Sequence, residues 1–296
     1  MSQFLERLKR GEVLILDGAM GTQLQLAGLE SGGCGDIWNI EEPEKVQAIH
    51  RTYLNAGSDI VLTNTFGSNS LRLRHYDLQD RCLEINRAGG QIARNVLPDN
   101  QHYVFGDIGP SGEILETSGG LFDEKELYEV FKQQAMALSE GGVDAIVVET
   151  MMALDELLCA IRAAKENTSL PVVASMCFSP GAFGYKTMMG ISPEKLVTEA
   201  IAAGADVVGT NCGDCTIDHM IQVITQMKQA APDALLMAEP NAGLPVLENG
   251  AVVYKDTPEM MAEKYPLLIS AGANIVGGCC GTTPNHIAAL AKIVKK

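Results

Sequence analysis

Positive charge is scarce in this sequence. Lysine and arginine together contribute 22 of the 296 residues, aspartate and glutamate contribute 37, and the formal net charge is −15. Proteins that bind nucleic acid or an anionic membrane surface use clustered basic side chains to meet the phosphates. Because the chain has no such basic patch, we expect neither nucleic acid nor a membrane among its partners.

Long apolar segments are also missing. A membrane-spanning helix needs about 20 predominantly apolar residues in a row, and no stretch of the chain comes near that length. Residues 1–7 do not have the pattern of a secretory signal. Without such a signal, the eight cysteines indicate reduced thiols rather than a disulfide framework. We therefore expect a cytoplasmic protein.

Signs of a domain boundary are absent as well. The chain has no low-complexity linker and no abrupt change of composition. With 46% hydrophobic residues it can bury a substantial core, and one-domain α/β barrels often have this length. We predict a single domain over residues 1–296.

One pattern recurs along the chain: a short apolar run leads into a polar or glycine motif and then into an amphipathic stretch. The eight apolar runs are residues 13–16, 59–62, 103–105, 145–148, 171–174, 207–208, 235–238 and 275–276. Continuous rather than alternating apolar character is typical of strands that are buried on both faces, and hence of a parallel sheet. Eight strand–helix units predict a (β/α)₈ barrel, whose active site lies at the carboxyl ends of the strands.

A doubly wound open sheet is the alternative fold. The segments between the strands read as helices in either case. In the clearest one, Leu127, Val130, Phe131 and Leu138 form one apolar stripe, and Gly141 with the next glycine ends the helix. No Gly-x-Gly-x-x-Gly motif follows the first strand, so nothing supports a dinucleotide site.

Two cysteine motifs stand at predicted strand ends. Cys279 and Cys280 follow the last apolar run among three glycines, and Thr283 then begins a helix as an N-cap. Cys212 occupies the matching place after residues 207–208. Three thiolates leave one open position on a tetrahedral zinc ion, which is the catalytic arrangement. The alternative is that the adjacent cysteines are a small apolar pair packed in the core.

In a barrel, the polar residues at the strand ends converge on one mouth. The predicted pocket residues are Asp17, Asn64, Asp107, Glu149, Cys212, Glu239, Asn241, Cys279 and Cys280. For any single carboxylate the alternative is an N-cap or a hydrogen bond within a loop. The shared position in the repeat favours a functional role most for Asp17 and Glu149.

The three-thiolate site indicates a particular chemistry. Coordination lowers the pKa of a thiol from its usual value of about 8.5, and soft thiolate ligands favour zinc. Such a site is better suited to holding a substrate thiolate in a nucleophilic state than to activating water. The reaction implied is attack by that thiolate on an activated carbon.

The chain resembles the homocysteine S-methyltransferase family, and within it most resembles the homocysteine-binding domain of cobalamin-dependent methionine synthase. The resemblance covers about residues 13–293. The segments that carry it are Asp17-Gly18-Ala19-Met20-Gly21-Thr22, Thr63-Asn64-Thr65-Phe66, Gly106-Asp107-Ile108-Gly109-Pro110, Asn211-Cys212, Glu239-Pro240-Asn241-Ala242-Gly243 and Gly277-Gly278-Cys279-Cys280-Gly281-Thr282-Thr283-Pro284.

This resemblance implies a (β/α)₈ methyltransferase with Zn²⁺ on Cys212, Cys279 and Cys280. It also implies that Glu149 binds the amino group of homocysteine and that the turn of Asp17 and Gly18 binds the amino-acid end. The remaining implied pocket residues are Asn64, Glu239 and Asn241.

The resemblance further implies that homocysteine is methylated to methionine. We expect a stand-alone module that takes the methyl group from methylcobalamin on a separate corrinoid protein, which docks transiently. Alternatives are an S-methylmethionine- or betaine-type donor, or a different thiol acceptor in a catabolic route. Two further alternatives are a zinc- or thiol-binding regulatory barrel and a barrel lyase with a Schiff-base lysine. Against the lyase, no lysine stands at a predicted strand end.

One departure from the family pattern follows Cys212. The pattern of the methionine synthase domain usually continues with serine, whereas this chain has Gly213, Asp214 and Cys215. The resulting Cys-x-x-Cys allows Cys215 to be a metal ligand or a redox partner. The alternative is that Cys215 packs at the start of the next helix.

Overall fold

Helices and strands alternate along the chain, which is described by a computed structural model over residues 2–248 and 251–295. The helices are α1 (Gln3–Lys9), α2 (Met20–Leu26), α3 (Trp38–Glu41), α4 (Pro43–Ala56), α5 (Ser70–Leu73), α6 (Cys82–Arg94), α7 (Glu124–Glu140), α8 (Leu154–Asn167), α9 (Pro193–Ala202), α10 (Ile217–Ala230), α11 (Pro258–Ser270) and α12 (Pro284–Val294). The strands are β1 (Leu14–Ile15), β2 (Ile60–Leu62), β3 (Tyr103–Ile108), β4 (Ala145–Met151), β5 (Val172–Met176), β6 (Ser179–Gly181), β7 (Gly184–Lys186), β8 (Val207–Asn211), β9 (Leu236–Glu239), β10 (Val246–Glu248), β11 (Ala251–Val253) and β12 (Ala273–Val276).

Eight of these strands form one parallel sheet in the order β1-β12-β9-β8-β5-β4-β3-β2. Its two edges meet, because Leu16 bridges to Ile60 in parallel and the Asp59 amide donates to the Ile15 carbonyl over 2.7 Å. The closed sheet confirms the predicted (β/α)₈ barrel and rules out the open doubly wound alternative. Each of the eight predicted apolar runs coincides with one barrel strand.

The barrel strands are buried on both faces, as their continuous apolar character predicts. One set of side chains fills the barrel interior, and helix α1 covers its amino-terminal end with Phe4, whose ring lies 4.9 Å from that of Phe105. Interior positions include Leu14, Leu16, Ile60, Phe105, Val147, Val173, Val207, Met237 and Ile275. The opposite set packs against the surrounding helices. This burial makes the barrel a rigid support for the loops at its carboxyl ends.

Helix α7 shows how local sequence sets the helix limits. Asp123 caps its start by accepting hydrogen bonds from the amides of Lys125 and Glu126. The predicted stripe is buried against the barrel, with Leu127 and Phe131 fully covered. The helix ends at Glu140, and the second glycine after it takes a φ of +84°.

The sequence does not predict two antiparallel hairpins, β6–β7 and β10–β11, which follow β5 and β9. They are short and largely exposed, so they carry no burial pattern that marks them as strands. Both follow carboxyl ends of barrel strands, and β5 and β9 are the two neighbours of β8. The hairpins therefore stand on either side of the strand that leads to Cys212. Within the described residues, no helix combines the length and apolar character needed to cross a bilayer.

Candidate functional site

Three thiols meet at the carboxyl mouth of the barrel. Cys212 follows β8, and Cys279 and Cys280 follow β12, with β9 between these strands. The Sγ atoms of Cys212 and Cys280 are 3.8 Å apart, and the three Sγ atoms all lie within 4.8 Å of one another. The structure therefore brings together the three cysteines that the sequence singles out.

Backbone geometry fixes where these thiols lie. Cys212 has a φ of +53°, a left-handed conformation that costs a residue with a Cβ about 1 kcal/mol or more. Its amide donates to the Glu239 carbonyl over 3.2 Å, and the Cys279 amide donates to the Pro240 carbonyl over 2.9 Å. Both cysteine loops are thus held by the end of β9. The strained turn at Cys212 is maintained by this surrounding network.

The electrostatics of the three sulfur atoms fit a bound cation. Hydrogen bonds from the thiols of Cys212 and Cys279 lower the pKa of Cys280 to about 3, although burial opposes the shift. The hydrogen bonds with Cys212 and Cys280, together with burial, raise the pKa of Cys279. The two neighbouring thiols thus favour the thiolate form of Cys280. Three clustered soft donors match the preference of zinc for thiolate ligands.

A cavity of about 360 Å³ opens beside the thiols. Seven of the nine residues that the family resemblance implies for the site line it. These are Gly18, Asn64, Glu149, Cys212, Glu239, Cys279 and Cys280. Asp17 and Asn241 are buried but do not line the cavity, whereas Asp107, predicted only as a pocket residue, does.

Buried carboxyl groups form the wall of the cavity. Glu149 lies in β4 and is 8% exposed, and burial raises its pKa to about 7 although a hydrogen bond with Glu239 opposes the shift. Burial and then the charge of Glu149 also raise the pKa values of Asp107 and Glu239. In the described part of the chain, Asp17 Oδ1, Asp107 Oδ1 and Glu239 Oε2 are buried without a hydrogen-bond partner. Such acceptors suit a ligand that brings N–H donors, such as an ammonium group.

The turn at Asp17 and Gly18 is tightly built. The Asp17 Oδ2 accepts a hydrogen bond from the Leu62 amide over 3.1 Å, which ties the turn to the neighbouring strand β2. A Cβ at Gly18 would lie 2.7 Å from Thr282 Oγ1 and 3.0 Å from a ring carbon of Tyr53. Only glycine therefore fits here, and its backbone borders the cavity directly.

The two predicted asparagines are held in place by different contacts. Asn64 donates from its side-chain amide to the Gly35 carbonyl over 2.8 Å and to Asn39 over 3.2 Å. Asn241 donates to the Gly213 carbonyl over 3.1 Å, while its Oδ1 is buried without a partner in the described residues. Asn64 thus shapes the wall, and Asn241 supports the loop that follows Cys212.

Sequence reasoning missed the part played by Asn211. Its side chain donates to Thr150 Oγ1 over 2.7 Å and to Glu149 Oε2 over 3.4 Å, and its Oδ1 accepts from Ser175 over 2.7 Å. Asn211 therefore links the end of β4 to the end of β8, directly before Cys212. Its position directly before Cys212 could have marked Asn211 as a site residue. The sequence does not reveal, however, which strand its side-chain amide reaches.

The remaining cysteines lie outside the thiol cluster. Cys215 is fully buried and donates to the Phe178 carbonyl over 3.2 Å, in agreement with the packing alternative rather than a fourth ligand. Cys34 is half-buried and lines the cavity, with its Sγ 3.8 Å from Asp36 Oδ2.

The fold is shared with solved structures. The metallated form of the homocysteine methyltransferase MmuM from Escherichia coli superposes with a TM-score of 0.80 and 20% sequence identity, covering 97% of this chain and 98% of that one. The oxidized form of the same enzyme gives a TM-score of 0.79 and 21% identity. The architecture and the thiol cluster thus define a (β/α)₈ barrel with a candidate metal site at its mouth.

Sequence comparison identifies the family. The homocysteine S-methyltransferase family model matches residues 14–294, so the chain belongs to that family. Methionine synthase of Mycobacterium tuberculosis is 35% identical over 301 residues, which is 95% of this chain and 24% of that protein. Methionine synthase of Mycobacterium leprae is 33% identical over 314 residues, covering 100% of this chain and 25% of that protein. The chain therefore spans about a quarter of the length of these relatives.

Proposed function

We propose that this protein methylates the sulfur of homocysteine, with zinc held by Cys212, Cys279 and Cys280. The observation that carries the proposal is the cluster of three thiols within 4.8 Å, placed beside a cavity with an acidic wall. A zinc ion bound there would keep the substrate sulfur deprotonated and nucleophilic at neutral pH. The family membership supports both the acceptor and the reaction type.

The protein's own residues orient the amino-acid end of the substrate. Glu149 and the unpartnered oxygens of Asp17, Asp107 and Glu239 offer acceptors to the ammonium group. The backbone at Gly18 borders the same cavity and can approach the substrate closely because it carries no Cβ. Binding the ammonium at this wall and the sulfur at the thiol cluster fixes the substrate at both ends, which aligns the sulfur for reaction.

Arrival of the ammonium favours the ionised form of these carboxyl groups. Glu149 has a pKa of about 7, so at neutral pH it is partly protonated in the empty cavity. A positive charge nearby stabilises the carboxylate and releases that proton. Burial and then the charge of Glu149 raise the pKa of Glu239, so the protonated form of Glu239 is favoured beside an ionised Glu149.

We further propose methylcobalamin, carried by a separate corrinoid protein, as the methyl donor. The choice is based on the resemblance of the sequence to the homocysteine-binding domain of cobalamin-dependent methionine synthase. Because all eight cysteines are free, we expect the protein to work in the reducing cytoplasm.

A donor comparison tests the proposal. The zinc-loaded protein is incubated with homocysteine and, in separate arms, free methylcobalamin, a methylcobalamin-loaded corrinoid protein, S-methylmethionine or betaine, and methionine is measured by mass spectrometry. We expect methionine in the methylcobalamin arms, faster from the protein-bound form, together with homocysteine-dependent loss of the methylcobalamin spectrum. Methionine from S-methylmethionine or betaine alone would overturn the proposed donor. Zinc and homocysteine binding without methionine in any arm would favour the regulatory alternative.

A further inference from the structure

Strand β4 is irregular where it reaches the cavity. Its pairing with β5 shifts register between Val148 and Met151, so that β4 has one residue more than β5 in this interval. Such an extra residue is a β-bulge, which bends the strand and redirects its side chains. Thr150, within the bulge, has a φ of +61°, a left-handed conformation that a β-branched residue keeps only where its surroundings enforce it.

The bulge brings two consecutive side chains to the cavity. Adjacent residues of a regular strand point to opposite faces of the sheet. Glu149 and Thr150 nevertheless both line the cavity, whereas Met151 packs among the core residues between the barrel and the helices. The bulge therefore adds Thr150 to the cavity wall and sets the direction of the strand end that carries Glu149.

Asn211 holds this bulge with its side chain, which is fully buried. Its Oδ1 accepts hydrogen bonds from the Thr150 amide over 3.0 Å and from the Ser175 hydroxyl over 2.7 Å. Because a backbone amide can only donate, this contact fixes which end of the side-chain amide is oxygen, and the Nδ2 faces the opposite way. Nδ2 donates to Thr150 Oγ1 over 2.7 Å and lies 3.4 Å from Glu149 Oε2 and 4.0 Å from Cys279 Sγ. The side chain thus contacts both the carboxyl group and the thiol cluster.

We propose that Asn211 is a positioning residue that sets the distance between the Glu149 carboxyl group and the thiol cluster, and that this distance selects the chain length of the substrate. The inference rests on the proposed function, in which the ammonium group binds at Glu149 and the sulfur at the thiols. Asn211 adjoins Cys212 in the chain and Glu149 in space, so one side chain with all its polar atoms engaged connects the two ends of the site. A substrate held at both ends must match the distance between them.

The test replaces Asn211 with leucine, which has a similar size and forms no side-chain hydrogen bonds. Three amino acids that differ by single methylene groups are compared on the zinc-loaded protein: cysteine, homocysteine and 2-amino-5-sulfanylpentanoate. Their dissociation constants are measured by calorimetry, and the zinc content of every sample is determined. In the wild type we expect homocysteine to bind most tightly. In Asn211→Leu we expect its affinity to fall about tenfold and the other two to change little, because small misplacements of binding groups have effects of this size or more.

Asn274→Leu is the matched control. Asn274 also lies at a register shift, between β12 and β9, and its Oδ1 accepts from the Leu236 amide over 2.9 Å. It is near the beginning of β12 and therefore at the amino end of the barrel, opposite the thiols. The same substitution there should lower stability in urea but leave the preference for homocysteine unchanged.

Ser175→Ala provides a second variant that leaves the residue next to Cys212 intact. The Ser175 hydroxyl is buried, and its removal takes away one of the contacts that orient the Asn211 amide. We expect the preference for homocysteine to fall in the same direction as in Asn211→Leu, by a smaller factor. This variant decides the question if Asn211→Leu does not retain zinc.

Each other outcome contradicts the inference. If the three amino acids lose affinity in equal proportion, or if the variants that retain zinc keep the wild-type preference, Asn211 only supports the loop and does not select chain length. The same holds if the wild type binds all three equally well, or if Asn274→Leu loses the preference to the same extent. In these cases the proposed function stands. A wild-type protein that binds neither zinc nor homocysteine would overturn the proposed function and the inference together.

Discussion

The sulfur atoms of Cys212 and Cys280 lie 3.8 Å apart although 68 residues separate them in the chain. Their proximity arises from the strand order, because β8 and β12 are the two neighbours of β9. Carbonyls at the end of β9 hold both loops, through Glu239 to Cys212 and through Pro240 to Cys279. The thiol cluster is thus a property of three adjacent strand ends rather than of any one sequence motif.

Replacing Glu149 with glutamine should weaken homocysteine binding. We expect the KM for homocysteine to rise about 10- to 100-fold with a smaller effect on kcat, because the charge-assisted hydrogen bond to the ammonium is lost. Steady-state kinetics with 4-sulfanylbutanoate, which lacks the amino group, provide the control substrate. The exposed Glu263→Gln is the control variant. An equal loss with both substrates would contradict an ammonium-binding role for Glu149.

The same variant should change the pH dependence of stability in the metal-free protein. Burial raises the pKa of Glu149 from its ordinary 4.5 to about 7 in the folded state. Between those pH values the folded protein binds more protons than the unfolded chain, so the free energy of unfolding falls as pH rises. Urea denaturation at pH 5, 6, 7 and 8 should show a shallower decline for Glu149→Gln. If the free energy of unfolding changed equally with pH in the two proteins, Glu149 would not titrate in this range.

Comparing Gly281→Ala with Gly190→Ala distinguishes the effect of backbone strain from the effect of displacing the loop that carries Cys279 and Cys280. Both glycines have a positive φ, +77° and +81°, so each substitution should cost about 1–2 kcal/mol of stability. An added Cβ meets Tyr254 at position 281 but nothing within 4 Å at position 190. We expect a strong loss of zinc affinity only in Gly281→Ala, measured by chelator competition. Equal zinc affinity in the two variants would contradict the close packing at Gly281.

His50 should limit the stability of the protein. It is fully buried in α4, and neither ring nitrogen has a hydrogen-bond partner in the described residues. A buried polar group without a partner costs about 1–3 kcal/mol, so His50→Leu should raise the free energy of unfolding at pH 7 by about 1 kcal/mol. Urea denaturation measures this, with the exposed His75→Leu as a control near zero. A clear loss of stability in His50→Leu would show that the ring makes a favourable contact.

The pH dependence of His50 provides a second measurement. Burial lowers the pKa of His50 from 6.5 to about 4 in the folded state. The unfolded chain then binds more protons between those values, so the wild type should lose stability as pH falls from 6.5 to 4. His50→Leu should lose less over the same range. A difference between the two proteins that does not vary with pH would show that His50 is not buried in its neutral form.

Much of the fold follows from the sequence because barrel strands are buried on both faces. Runs such as residues 145–148 have no reason to be continuously apolar unless both sides are covered, and β4 indeed includes them. The hairpins β6–β7 and β10–β11 escaped prediction because exposed strands of three residues lack such a pattern. Phe183, at the tip of the first hairpin, is 94% exposed and gives no burial signal at all.

The site was predictable where strand ends determine it and unpredictable where loop paths do. Cys212, Cys279 and Glu149 converge because each follows or ends a barrel strand. Tyr254 lies beside Gly281 only because of the path of the segment before α11, and that path depends on several backbone hydrogen bonds. The link from Asn211 to Thr150 likewise depends on left-handed backbone at Thr150, with a φ of +61°, which its residue type does not indicate.

Zinc-edge X-ray absorption, combined with metal analysis, tests the central claim most directly. We predict close to one zinc per chain, bound by three sulfurs at about 2.3 Å, and a fourth sulfur when homocysteine is added. Cys279→Ala should lose the zinc, while Cys215→Ala and Cys34→Ala should retain it. A carefully reduced protein that binds no zinc, or a sulfur count that does not rise with homocysteine, would contradict the account.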